Sequence, residues 1–265
     1  MMKILVVFGT RPEAIKTAPV ILALRQRKDC QVKVCFTGQH RDMAMPFMEL
    51  FGVEPEISFR IDNASLSGSV AEILQKMDGL LNAEKFDWVL VQGDTNTVLA
   101  ASLAAFYHRV KVGHIEAGLR THRKMFPYPE EMNRLLTTRI ADLHFAPTPQ
   151  ARENLLREGV EEKDIVVTGN TVIDALWIIL KKLENDPESE KRLLEKFPFL
   201  APEKKLVLVT CHRRENQGNG LETLCGTLKK SVAGHEELQF VYPVHLSPAV
   251  RGVVLPLLQG EKNIH

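Results

Sequence analysis

The feature that most restricts this chain is a recurring alternation of short β-branched apolar runs, closed by Gly, Thr or Asp, with segments of helical spacing. The opening "MMKILVVFGT" is such a run, and "RPEAIKTAPVILALRQR" then takes up a helical period, giving strand, turn and helix. The unit recurs at "QVKVCFTG", "FDWVLVQGD", "KVGHIEAG", "ADLHFAPT" and "DIVVTGN", with helix-compatible segments that include 95–108, 130–138 and 149–158. Near-continuous apolar strands alternating with helices predict a parallel, doubly wound α/β sheet.

After "GNTVIDALWIILKKLENDPESEKRLLEKFPFLAPEKK" the pattern restarts with "LVLVTCHRRENQGNG", a helix, "LQFVYPVHLSP" and one more helix. The charged, Pro-containing stretch 181–205 is read as the passage between two α/β lobes, an N-terminal one over 1–180 and a second over 181–265. Only two strand signals precede "EKNIH", where a third strand would begin, and a two-stranded parallel sheet is too small for a finished domain. The expectation is a second lobe that is incomplete, in a shortened version of a longer protein. The alternative, in which these units extend the edge of the first sheet, stays open.

With 265 residues, 45% of them hydrophobic and 25% charged, the chain can bury an ordinary core. A net charge of +1 with interspersed signs leaves no electrostatic footprint for nucleic acid or an anionic membrane surface. No apolar run reaches the length of a membrane span. Cys30, Cys35, Cys211 and Cys225 lack the paired spacing of a zinc site, and the N-terminus does not resemble a signal peptide. A cytoplasmic protein with free thiols and no metal site is expected.

Ligands of open parallel sheets bind beyond the carboxyl ends of the strands, so polar residues are sorted by strand end. "GTRPE" closes the first strand, and Pro12 suits a first helical position, which puts Arg11 beside a helix N-terminus that favours anions. Lys16 lies about one turn on. Pro19 denies that helix a hydrogen bond and is expected to kink it. "QGDT" puts Asp94 after apolar "WVLV"; its structural reading is an ordinary helix N-cap. His114 and Glu116 in "GHIEAGLR" are two apart on one strand, hence on the same side, and both are expected to reach the mouth. A Glu in a strand that otherwise reads as buried is costly unless paired.

"PYPEEMNR" adds Glu130 and Glu131 in a helix's first turn, where carboxylates also suit the helix dipole. "TCHRREN" repeats the logic in the second lobe with His212, Arg213, Arg214 and Glu215. There is no GxGxxG after the first strand, no GxxxxGK[ST], no GxSxG elbow and no HExxH pair. The residues describe a site of carboxylates, a histidine and basic groups, without a metal or nicotinamide motif.

"VFGTRPEAIKTAPVI", "TGQHRDM", "QGDTNTVLAASLAAFY", "VGHIEAGLRT", "YPEEMNR", "TGNTVIDAL", "TCHRREN" and "YPVHL" together resemble the bacterial non-hydrolysing UDP-N-acetylglucosamine 2-epimerases, from residue 3 to about 250. The resemblance implies two Rossmann-like lobes of glycosyltransferase-B type with doubly wound parallel sheets, a homodimer, no cofactor, and production of UDP-ManNAc for surface polysaccharide. It implies that Asp94, Glu116, Glu130 and His212 are catalytic and that Arg11, Lys16 and Arg213 contact substrate or UDP. It also implies that Gln39 and His40 lie near a second, activating UDP-GlcNAc site. Cys211 replaces a small residue usual before the histidine, and Ser247 replaces a common Asn. The family continues through a Ser-Gly-Gly loop and a glutamate that hold UDP, and this sequence has neither.

The chemistry fits that resemblance from below. The C2 proton of the sugar has no adjacent carbonyl to acidify it, so inversion needs transient oxidation or departure of UDP from C1 to leave a glycal. The second route requires a base at one face of C2, a proton donor at the other, and cationic help for the diphosphate. The alternatives are a glycosyltransferase of the same architecture, a hydrolysing epimerase that releases free ManNAc, and a non-catalytic fragment that keeps only anion or UDP-sugar binding.

Overall fold

The opening apolar run forms β1 (Met2–Phe8), and its side chains leave it on both faces of a sheet. Ile4, Val6 and Phe8 pack into one buried cluster, and Leu5 and Val7 into another. A strand with period-2 side chains and two apolar faces is stable only when helices cover both sides. The computed structural model of the chain describes residues 1–38, 41–62, 65–211 and 219–265, with only the backbone described at 41–43.

The chain divides into two compact units, Met1–Asn185 and Asp186–His265. In the first, β1 is joined by β2 (Cys30–Phe36), β3 (Ile57–Ser58), β4 (Trp88–Gln92), β5 (Lys111–Ile115), β6 (Leu143–Ala146) and β7 (Ile165–Val167). The seven strands lie in the order β3-β2-β1-β4-β5-β6-β7. Every pair is parallel. The order reverses between β1 and β4, because β1 pairs with β2 on one side and with β4 on the other. Such a reversal leaves a crevice beyond the carboxyl ends of the two strands.

The helices of this unit are α1 (Arg11–Arg25), α2 (Arg41–Phe51), α3 (Leu66–Ala83), α4 (Asn96–Tyr107), α5 (Glu130–Ile140), α6 (Pro149–Arg157) and α7 (Thr171–Glu184). Residues of α1 and α2 bury the Ile4–Val6–Phe8 face, while residues of α3 and α4 bury the opposite one. The fold expected from the alternation of runs is therefore the fold that forms. Its shortest strand, β3, has two residues and left no pattern to read. Helix α1 continues through Pro19 as an internal residue. An apolar groove of about 860 Å³, lined by Pro19, Leu90, Ile115, Phe145, Trp177 and Ile178 among others, opens between α1 and α7.

The second unit has α8 (Pro187–Leu194), β8 (Lys205–Leu208), α9 (Asn219–Gly234), β9 (Leu238–Val241) and α10 (Pro248–Leu258). Strands β8 and β9 pair in parallel. Leu221, Cys225 and Leu228 of α9 and Val250, Val254 and Leu258 of α10 form its small core with Phe240 and Tyr242. Phe240 also bridges to Ile264 in parallel, with Phe240 N donating to Asn263 O at 2.7 Å and His265 N to Phe240 O at 2.9 Å. The third strand signal at "EKNIH" is thus laid beside β9. The four cysteines are free thiols, three buried and Cys211 half-buried. Among the described residues no helix is long and apolar enough to cross a membrane.

Candidate active site at the carboxyl ends of the strands

The site is built where the strand order reverses. Thr95 is the N-cap of α4, its hydroxyl accepting from Val98 N. This overturns the reading of Asp94 as an ordinary cap. With the capping position filled by its neighbour, the Asp94 carboxylate is left to face the crevice, where Oδ2 lies 3.4 Å from Arg134 Nη2. Asn133 fixes the same turn from α5, donating through Nδ2 to Asp94 O at 3.0 Å and to Asn96 Oδ1 at 3.3 Å.

Burial pushes the Asp94 carboxyl up to about 6 from an ordinary 3.8, opposed chiefly by Arg134 and reinforced by the neighbouring Glu130 and Glu116, with Lys16 also lowering it. Lys16, Glu116, Glu130 and Arg134 are all close enough to Asp94 to act on its charge, with Lys16 paired to Glu116 and Arg134 to Asp94. A carboxyl that titrates near neutrality can hold or release a proton at working pH.

Glu116 follows β5 directly and takes a left-handed backbone conformation at φ 65°. That conformation is costly for a residue with a side chain and persists where surrounding contacts fix it. Its carboxylate is gripped from two sides. Lys16 Nζ lies 2.8 and 2.6 Å from Oε1 and Oε2, and Asn170 Nδ2 donates to Oε2 at 2.9 Å. Glu130 opens α5, and its Oε2 is buried with no hydrogen-bond partner among the described residues. A buried acceptor without a donor is normally satisfied by something, and a ligand proton would do so.

Two buried carboxylates organise this region without facing it. Glu131 is fully buried and accepts from Thr121 N and His122 N, and its Oε2 pairs with the Arg134 guanidinium at 3.3 Å, so it holds the loop after β5 and helps orient Arg134 toward Asp94. Glu13 accepts from Thr10 N and Thr10 Oγ1 at 2.8 and 2.6 Å and from Thr95 Oγ1 at 2.8 Å. It therefore ties the end of β1 to the start of α4. Burial lifts the Glu13 carboxyl from 4.5 to about 7, outweighing those hydrogen bonds.

His114 does not reach the mouth. It is fully buried in the sheet, where Nε2 donates to Gly93 O at 2.7 Å, and burial drives its pKa down to about 3. It is a neutral internal strut, held by the Gly93 carbonyl, and Glu116 lies past the strand's end in a left-handed conformation, so strand alternation does not extend to it. Arg11 occupies the first turn of α1 with its side chain exposed, and no ion-pair partner is found for it among the described residues. His122, Arg123 and Lys124 are exposed, as solvated loop residues should be. Gln39, His40, His212 and Arg213 lie outside the described residues. Among the described residues, no cluster of three or more His, Cys, Asp or Glu is arranged to hold a metal ion.

Arg134, Asn133, Asn170 and Glu13 were not assigned roles from the sequence, and Glu131 was read only as a first-turn carboxylate beside Glu130. A spacing signal existed for Arg134, which sits one helical turn beyond Glu130 and Glu131 on the same side of α5. Asn170 had only its place before a helical segment, which marks a cap and nothing more.

The family model described as UDP-N-acetylglucosamine 2-epimerase matches residues 22–265. The chain belongs to that family. As an epimerase-family enzyme it is 47% identical to a UDP-N-acetylglucosamine 2-epimerase from Salmonella borreze, over 100% of this chain and 70% of the relative. Against the enzyme of the same name from Escherichia coli K12 the identity is 46%, over 99% of this chain and 70% of the relative. The crystal structure of UDP-GlcNAc 2-epimerase from Neisseria meningitidis, bound to UDP-GlcNAc, superposes with a TM-score of 0.93 at 44% identity, covering all of this chain and 71% of that one. The epimerase from Methanocaldococcus jannaschii, in complex with UDP-GlcNAc and UDP, does so with a TM-score of 0.79 at 33% identity, covering 99% of this chain and 72% of that one. The architecture is thus the glycosyltransferase-B type of these epimerases.

Proposed function

We propose that this site inverts C2 of UDP-GlcNAc and UDP-ManNAc reversibly by anti-elimination and re-addition of UDP. A carboxylate takes the C2 proton while the C1–O bond to UDP breaks, leaving a glycal with a C1–C2 double bond. UDP then re-forms the C1–O bond as a proton arrives at the other face of C2. Protons and electrons balance over the cycle, so no oxidant is required.

One observation carries the reading: Asp94, Glu116 and Glu130 converge at the carboxyl ends of parallel strands with Lys16 and Arg134 among them. Several carboxyls held close together have their proton affinities pushed apart, which is how one site supplies a base and an acid. Lys16 and Arg134 supply positive charge for a departing diphosphate, and Arg11, on the first turn of α1, is assigned to the same anion. His212 and Arg213 are assigned catalytic and UDP-contacting roles from the family motif, and Gln39 and His40 a place at an activating UDP-GlcNAc site. The relatives bound to UDP-GlcNAc and UDP support the substrate assignment. A cytoplasmic homodimer that feeds ManNAc units to surface polysaccharide completes the proposal.

The test is product analysis by proton NMR after incubation with UDP-GlcNAc. Accumulation of UDP-ManNAc to a fixed ratio, without free sugar, supports the reading. Release of free ManNAc would replace it with a hydrolysing epimerase. Calorimetric binding of UDP with no product at all would reduce the chain to a binding fragment.

A further inference from the structure

The two groups that hold Glu116 are not equivalent. Lys16 is a cation on a flexible four-carbon stem reaching from α1, the kind of group an anion entering the crevice would compete for. Asn170 is fixed. It is the N-cap of α7, and its Oδ1 accepts from Val172 N at 3.1 Å. A backbone N–H can be accepted only by the amide oxygen, so the cap leaves the Nδ2 group facing Glu116, where it donates to Oε2 at 2.9 Å. The cap of one helix thereby orients a donor toward the carboxylate at the end of β5, across from β7. Glu116 also has its φ of 65° to sustain, and its side chain is only 11% exposed.

We propose that Asn170 is a positioning residue for Glu116, keeping its carboxylate in place when Lys16 turns to the diphosphate of a bound nucleotide sugar. This rests on the epimerase reading for its consequence in turnover, but the contact itself stands on the geometry of the cap. An amide NH2 can donate and cannot accept, so the contact runs one way, from Asn170 to a carboxylate oxygen of Glu116. Of the charged groups in that region, Lys16 pairs with Glu116 itself, while Asp94 and Arg134 pair with each other.

Two substitutions separate positioning from capping. Asn170→Ser keeps a good N-cap but is too short to reach Glu116, and Asn170→Asp keeps the cap while placing a carboxylate against a carboxylate. The deciding readout is the carbon-13 chemical shift of the Glu116 side-chain carboxyl at one fixed pH, assigned by its loss in Glu116→Gln. Both variants should melt within a few degrees of the parent. The Glu116 carboxyl resonance should move in both variants, because each removes the amide donor that touches it. In turnover, kcat should fall roughly tenfold in Asn170→Ser with KM nearly unchanged. An unmoved Glu116 resonance in both variants overturns the proposal. Failure of the parent chain to epimerise would bear on the proposed reaction and not on this contact, which the resonance decides alone.

Discussion

Arg134 Nη2 lies 3.4 Å from Asp94 Oδ2, and this ion pair joins the end of β4 to the first turns of α5. It is the largest of the influences that lower the proton affinity of Asp94, which burial otherwise lifts to about 6. Removing the guanidinium should therefore raise that affinity further. In Arg134→Gln the apparent pKa assigned to Asp94 should move above 6 by about one unit or more, read from the pH dependence of turnover or from a carboxyl titration. An unchanged value would mean that Arg134 does not act on Asp94.

Glu13 sets a second pH dependence, this time in stability. Its carboxyl has a pKa of about 7 in the folded chain against 4.5 when unfolded. Between those values the folded state binds more protons than the unfolded one, so the free energy of unfolding falls as pH rises from 4.5 to 7. The loss from this one group is at most about 3 kcal/mol. Urea unfolding of the parent and of Glu13→Gln across that window should give a difference that shrinks or reverses as pH rises. Parallel curves would contradict the assignment.

The legible part of the fold was its strand and helix alternation, because buried parallel strands must be apolar on both faces and cannot hide that composition. Asp94 and Glu116 stood out because each is a charge directly after an apolar strand, and Glu130 because it is a carboxylate in the first turn of a helix, where the dipole offers an ordinary explanation as well. His114 was misjudged because alternation along a strand says which face a side chain takes and not whether that face is capped by a neighbouring carbonyl, here Gly93 O. Asn170 and Glu13 could not be read at all. Each acts through a contact between strand ends far apart in sequence, and both residue types have ordinary local uses in helix caps.

Gly118 and Gly159 separate backbone strain from collision. Both have positive φ, 86° and 84°. A Cβ on Gly118 would lie 2.2 Å from Ala151 O, whereas one on Gly159 meets nothing within 4 Å. Gly159→Ala should cost only the left-handed penalty, about 1–2 kcal/mol. Gly118→Ala adds a clash with the backbone of α6 and should cost more than about 3 kcal/mol, visible in a denaturant titration. Equal losses would show that the close approach at Gly118 is relieved without cost.

The central claim is that the carboxylates at these strand ends move the proton of C2. Its most direct measurement is deuterium incorporation at C2 of UDP-GlcNAc in deuterated water, made with the parent and with Glu116→Gln and Glu130→Gln. The parent should incorporate deuterium at C2, and each variant should exchange at least about a hundredfold more slowly while binding UDP with nearly parental affinity. Parental exchange rates in both variants would contradict the account and leave the stretch from β5 to α5 as a well-capped loop.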